Sequence, residues 1–225
     1  QAVELYDFYH QKIAECDQGI EAQLHALAAH SDGKPPPARH KQRARNRNAP
    51  VMDFHEHLFR VAGVDLTTID GIDTYTALKL ISEIGVDMSP WPSAKHFGSW
   101  LGLCPGSNIS GGKVLSSKTK RSANRAAATL RLAAQGLRRS KTALGAYFRR
   151  KIAHLGTPKA ITATAHKLAR LVYAMLRNGT AYVDPGQDYY EQQHRKRVVK
   201  NLSRRARDLG YQLVRLDGSP QAALP

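Results

Sequence analysis

From Met88 to Val183 the chain contains no aspartate and no glutamate, while lysine and arginine recur throughout, from Lys95 to Arg177. Solvated helices ordinarily interleave both signs, because opposite charges one turn apart support the helix. Helices in this stretch go without that support, so a surface of one sign is expected, facing a polyanion. The imbalance persists over the whole chain, whose formal net charge is +16 across 225 residues. A charge of this size speaks about partners rather than fold: nucleic acid first, an anionic membrane second. No apolar run approaches the roughly 20 residues that span a bilayer, and no signal-peptide pattern opens the chain. No membrane partner is therefore expected. Cys16 and Cys104 are far apart and form neither a disulfide framework nor a metal-ligand spacing, so a reducing, intracellular setting is the default. The length suits one good core with an appended arm.

Residues 1–30 read as that arm. Leu5, Tyr9, Ile13, Cys16, Ile20, Leu24 and Leu27 recur at spacings of three and four, a coiled-coil-like seam. The seam serves either a second copy of the chain or the arm's own domain. Residues 31–50 follow as a linker, with Pro35, Pro36 and Pro37 blocking a helix. Arg39, Lys41, Arg43, Arg45 and Arg47 come next without an acid among them. They read as a basic strap for a nucleic-acid backbone or as a solvated connection. Residues 51–215 form the main domain and 216–225 a tail. In "HEH", His55 and His57 are two apart and face different sides of a helix, whereas the metalloprotease pattern needs i,i+4 spacing. No metal site is expected there.

The main domain is expected to be helical. Between Asp65 and Gly85, a short helix, a turn from Ile69 to Asp73 and a second helix from Thr74 resemble a helix-hairpin-helix, with Leu78, Ile81 and Ile84 as the buried stripe. In that motif, turn amides and the second helix's N-terminus grip a phosphate. Here Asp70 and Asp73 put two carboxylates at the turn, which favours a packing role. Further helices are expected over 93–103, 123–139, 141–154, 158–177 and 187–209. Thr157-Pro158 and Asp184-Pro185 read as N-terminal signals for the last two. Ile161, Ala165, Leu168, Val172 and Met175 form the apolar face of the 158–177 helix.

Between these helices lies "GLCPGSNISGGKVLSSKTKRSAN", residues 102–124, rich in serine, glycine and cations and free of carboxylates. Asn108-Ile109 and Val114-Leu115 predict a small β-hairpin with Ser110-Gly111-Gly112 at its tip. On composition alone Ser110 is a turn serine, since this mixture is common in turns. As a nucleophile it would need its proton removed or a metal's help, and Ser116 and Ser117 lie as close to the basic cluster. Gly111 and Gly112 let backbone approach a phosphodiester closely. Lys113, Lys118, Lys120, Arg121, Asn124 and Arg125 read either as phosphate contacts or as a solvated helix start, and the charge asymmetry favours phosphate. Tyr189 and Tyr190 read as packing residues.

Three ordered segments, "GVDLTTIDGI", "LGLCPGSNISGGKVLSSKTKRSANRAAATLRLAAQGL" and "TATAHKLARLVYAMLRNGTAYVDPGQDYYE", resemble the C-terminal part of the DEDD-type insertion-sequence transposases. That is the insertion-sequence family numbered one hundred and ten, which includes Piv-like DNA invertases. The resemblance implies a mainly α fold in which a helical, coiled-coil-like arm precedes a helical transposase domain with a helix-hairpin-helix-like element and a small β-hairpin. It implies Ser110 as the nucleophile of DNA strand exchange. It further implies DNA and a guide (bridge) RNA as partners, a homo-oligomer through the N-terminal helix, and a bacterial cytoplasmic, nucleoid-associated setting. No cofactor is expected on this chain. Magnesium belongs to an N-terminal RuvC-like acidic domain, expected to be missing here, and without it the chain is expected to bind nucleic acid but not recombine it. The rival expectation is a non-catalytic nucleic-acid-binding module of the helix-hairpin-helix type.

Overall fold

The computed structural model describes residues 1–31, 33, 35–37 and 54–214. The basic residues at 39–47 and the tail at 216–225 lie outside them. The described residues form helices joined by short connections, with one small hairpin: α1 (Ala2–Ala26), α2 (His55–Ala62), α3 (Thr74–Ile84), α4 (Ala94–Trp100), β1 (Asn108–Ser110), β2 (Lys113–Ser116), α5 (Arg125–Gly136), α6 (Ala143–Leu155), α7 (Thr157–Asn178) and α8 (Gln187–Asp208). Single 3-10 turns stand at Leu66–Thr68 and Leu137–Arg139. The fold is mainly α, as expected from the sequence.

The centre of the body is α7, which packs against α4, α5 and α6. Ala160, Ala165, Leu168, Ala169, Val172 and Met175 lie on its buried side, with Ile161 partly covered at the edge. Ala126, Ala127, Ala133 and Ala134 are buried on α5. Alanine on facing helices brings the backbones close. Leu130, Leu144, Leu168 and Phe148 fill the remaining volume, each 2% exposed or less. Truncating any one of these leucines would cost about 2–5 kcal/mol. Since ion pairs one turn apart are ruled out by composition, this apolar burial is what holds α5, α6 and α7 helical.

The segment from Leu66 to Ile84 packs onto this body through its turn. Ala77, Leu80, Ile81 and Ile84 are buried on α3, so the expected stripe holds at Ile81 and Ile84, while Leu78 sits at its edge. Gly71 has φ +91, and a Cβ there would lie 2.8 Å from the Ala133 carbonyl oxygen on α5. Gly71→Ala is expected to cost about 2–3 kcal/mol, combining left-handed backbone strain with a contact that backbone cannot relieve. A lowered urea midpoint at unchanged m-value would show it.

Two N-terminal signals read from the sequence act differently from expectation. Gly156, not Thr157, caps α7, and its φ of +77 explains the choice of glycine. α8 is capped by Gly186. Asp184 instead accepts a hydrogen bond from the Ala143 amide at 3.1 Å, in the first turn of α6 beside its N-cap Thr142, and another from the Tyr182 hydroxyl at 3.2 Å. A carboxylate in that position favours the positive end of the α6 dipole. Burial first, then Asp184, pushes the Tyr182 phenol up.

α1 leaves the body. Of its seam, Leu24 is buried, whereas Leu5, Tyr9 and Ile13 are each more than half exposed. Among the described residues the helix meets α2, and Asp17 and Leu24 are its buried positions. There the Arg60 guanidinium donates to the carbonyls of Leu24, His25 and Leu27, a cation at the negative end of the helix. No helix among the described residues is long and apolar enough to cross a membrane.

Candidate nucleic-acid interface

The hairpin is anchored at its base and free at its tip. At the base, Gly102 has φ +69 and would place a Cβ 2.7 Å from the Ser122 Cβ. The Gly106 amide donates to the Lys118 carbonyl at 2.9 Å, and Pro105 bridges Thr119. Ile109 pairs with Val114, Ser110 with Lys113, and the register shifts at Asn108. Gly111 and Gly112 form the connection with φ +55 and +74, as a two-residue turn of the I′ kind demands. Ser110 therefore ends β1 one step before the turn. A Cβ at Gly111 or Gly112 would meet nothing within 4 Å, so space around the tip is open.

Ser110, Gly111, Gly112, Lys113, Lys118, Lys120 and Arg121 are all exposed on this projection. The Ser110 hydroxyl has no hydrogen-bond partner among the described residues. His96, the nearest histidine in sequence, instead pairs through Nδ1 with the Ser93 hydroxyl at 2.8 Å. Two of the sequence-derived contacts have structural roles. Asn124 caps α5 by accepting from the Ala127 amide at 3.0 Å, and Arg125 reaches Glu83 on α3 at 3.3 Å. The turn at 69–73 offers no open helix terminus. Asp73 accepts from the Thr76 amide at 2.8 Å, filling the position a phosphate would take, and Asp70 accepts from the Thr142 hydroxyl at 3.0 Å.

A second cationic surface was visible in the sequence only as scattered charges. Lys167 on α7 lies 4.4 Å from the Tyr147 ring on α6 and 5.7 Å from the Tyr190 ring on α8. Lys151 approaches the Tyr147 ring and Arg150 the Tyr190 ring, while Arg150 and the His194 Nδ1 are 2.9 Å apart. Burial, then the charges of Arg197 and Arg170, pushes the Lys167 ammonium below its usual range, with Asp184 acting the other way. Burial, then Arg150 and Arg197, likewise lowers His194. The signal was there as i,i+4 pairs, Tyr147–Lys151 and Tyr190–His194, each of which puts an aromatic and a basic residue on one helix face. Crowded cations interleaved with aromatic rings suit a phosphate backbone, whose charge relieves their repulsion.

Because Lys167 holds its proton less firmly folded than unfolded, its charge costs stability at neutral pH. That cost fades as pH rises through the lowered value toward 10.5. Lys167→Met is expected to raise the melting temperature at pH 7 by about 1–3 °C and to remove the alkaline gain. Nucleic-acid affinity should fall in the same variant. Melting curves across pH and a fluorescence-anisotropy titration together check both.

Cys104 Sγ lies 3.5 Å from His166 Nε2 at the base of the hairpin. Burial raises the thiol, and burial with Arg170 lowers the imidazole. Both shifts favour the neutral pair, opposite to an activated thiolate, so the contact is one of packing.

Fold and surface together define a helical protein that presents a cationic projection and a second cationic face to a polyanion. Residues 65–149, less than half of the chain, match the family described as Transposase IS116/IS110/IS902. The match runs from Asp65 through the hairpin and α5 into α6. The match supports a general transposase role, and that role implies DNA as a partner. No curated protein and no solved structure matched the chain.

Proposed function

We propose that this chain is the strand-exchange part of a DNA transposase or site-specific recombinase, with Ser110 as nucleophile. The observation that carries the reading is an exposed, unbonded serine beside a diglycine turn, surrounded by cations, inside the segment that matches the transposase family. The Ser110 oxygen attacks a DNA phosphorus, its bond to the departing DNA oxygen breaks, and that oxygen leaves protonated as a DNA hydroxyl. A second DNA hydroxyl then attacks the phosphoserine link and returns the serine. Lys113, Lys118, Lys120 and Arg121 neutralise the phosphate oxygens as charge builds. The base that accepts the serine proton comes from outside the hairpin.

Magnesium, which the resemblance assigns to an acidic domain, does not fit the described residues. Three or more carboxylates nowhere converge among them, and no step here runs through the metal. Guide RNA is assigned to the strap at 39–47 and to the α6–α8 face, and self-association to the open seam of α1. The described residues give Ser110 no base, which favours a second reading, a nucleic-acid-binding module without chemistry.

Covalent trapping separates the two. The chain, supplied with an acidic partner domain, magnesium, guide RNA and end-labelled DNA, is resolved on a denaturing gel. A protein–DNA adduct lost only in Ser110→Ala supports the recombinase. No adduct, in a mixture shown to bind its RNA and DNA, supports the binding module.

A further inference from the structure

The seat of α1 on α2 holds a group of side chains that neither the transposase reading nor the cationic surfaces use. Arg60 fixes the end of α1 by its three carbonyl contacts. Beyond the helix end, the His30 amide donates to the Arg60 carbonyl at 2.8 Å, and His30 Nδ1 lies 2.8 Å from the Val61 carbonyl. Gly63 allows this approach, since a Cβ there would stand 2.6 Å from the His30 oxygen. With the helix so placed, Glu21 and His25, four residues apart, share the face of α1 that meets the first turn of α2. His57 projects from that turn.

One carboxylate oxygen of Glu21 and one ring nitrogen each of His25 and His57 lie within 4.8 Å of one another. The His57 Nε2 is 3.5 Å from Glu21 Oε1, and the two imidazole rings meet edge-on with centroids 4.4 Å apart. Zinc bonds of about 2.0–2.1 Å in a tetrahedron set ligand atoms roughly 3.3 Å apart. Small rotations of these partly exposed side chains close the difference. His55, two residues away, points elsewhere, to Asp65. The spacing that separates His55 from His57 within one helix leaves His57 free to complete a set from the other.

We propose that Glu21, His25 and His57 bind a borderline divalent cation of the zinc type, which clamps the α1 arm to α2. Two imidazoles and one carboxylate select zinc or its neighbours in the transition series over magnesium, which prefers oxygen donors. Three protein ligands leave a position for water. The site is independent of the strand-exchange reading and of any magnesium that chemistry uses. Its ligands come from two elements, so cation binding couples directly to the seating of the arm.

The test uses the full chain stripped of metal and titrated with cobalt(II), whose visible d–d bands report coordination, followed by displacement with zinc. One equivalent of cobalt with intense bands, abolished by zinc, is expected. His57→Ala and Glu21→Gln should each weaken binding tenfold or more, and His10→Ala, which lies elsewhere on α1, should not. Circular dichroism confirms that the variants keep their helices. Zinc should also slow amide exchange in the last turns of α1, in wild type but not in His57→Ala. Absent bands, or bands unchanged when His25 and His57 are both replaced by alanine, would overturn the site. Cation binding without slower exchange in α1 would overturn the clamp.

Discussion

Ser110→Ala is expected to reduce covalent protein–DNA adduct formation at least about a thousandfold, the scale of losing a catalytic nucleophile. Neither the melting temperature nor the affinity for DNA should change by more than the scatter of an ordinary surface substitution. The separation follows from the geometry. The hydroxyl is exposed and makes no hydrogen bond among the described residues, so its removal leaves no buried group unpaired. Its strand keeps the backbone pairing of Ser110 with Lys113. Lys113, Lys118, Lys120 and Arg121, the proposed phosphate contacts on the hairpin, are unaltered. Asn124→Ala is the contrasting control. It removes the α5 cap and should lower stability by about 1 kcal/mol with little direct effect on chemistry. A Ser110→Ala protein that still forms the adduct would move the nucleophile elsewhere, and Ser116 and Ser117 on the same hairpin would be tested next.

Local signals in this sequence were readable wherever one segment decides its own structure. The diglycine at 111–112 requires positive φ, and the hairpin formed with Asn108-Ile109 opposite Val114-Leu115 as expected, apart from a shifted register at Asn108. The helices fell close to their expected bounds because periodicity and Gly or Pro punctuation are local. What the sequence hid was which neighbour each polar group would choose. Asp184 precedes a proline and reads as the cap of the following helix, yet it accepts from the Ala143 amide in the first turn of α6, because the fold brings the start of that helix to it. Asp73 looked like an obstacle to phosphate and is the α3 cap. His57 stood in a triplet that one-helix spacing dismissed, and its partners came from α1. The α6–α8 cationic face needed three helices to be placed together before Lys167 could be seen between two tyrosine rings.

The same distinction explains why Asp65 carries a large expected stability effect. In sequence it reads only as the start of the segment before the turn. In the fold its Oδ1 accepts from the Thr67 amide at 2.9 Å and the Thr67 hydroxyl at 2.6 Å, while Oδ2 faces His55 Nε2 at 3.1 Å. Both side chains are 7% exposed. Burial by itself would raise the Asp65 carboxyl, but the His55 and Thr67 hydrogen bonds and the imidazole charge outweigh it and hold the group below its ordinary 3.8. A carboxylate depressed in this way contributes stability that is complete above the unfolded value and is lost as pH falls through the folded one. Asp65→Ala removes the 3-10 cap with both Thr67 hydrogen bonds and the carboxylate that faces His55 Nε2. The expected cost is about 2–4 kcal/mol at pH 7 from the lost cap and buried hydrogen bonds, a large share of the roughly 5–15 kcal/mol that holds a domain together. Asp65→Asn keeps the shape and an acceptor for Thr67, so it should cost less while flattening the acid limb below about pH 4. Urea titrations of the three proteins at pH 7 and pH 3 measure both quantities. Because α2 also carries Arg60 and His57, loosening its junction with Asp65 should release α1 as well, seen as faster amide exchange at residues 20–27. A loss under about 1 kcal/mol in Asp65→Ala would mean that the pair is incidental, and that the turn is held by Ile69 and Gly71 packing alone.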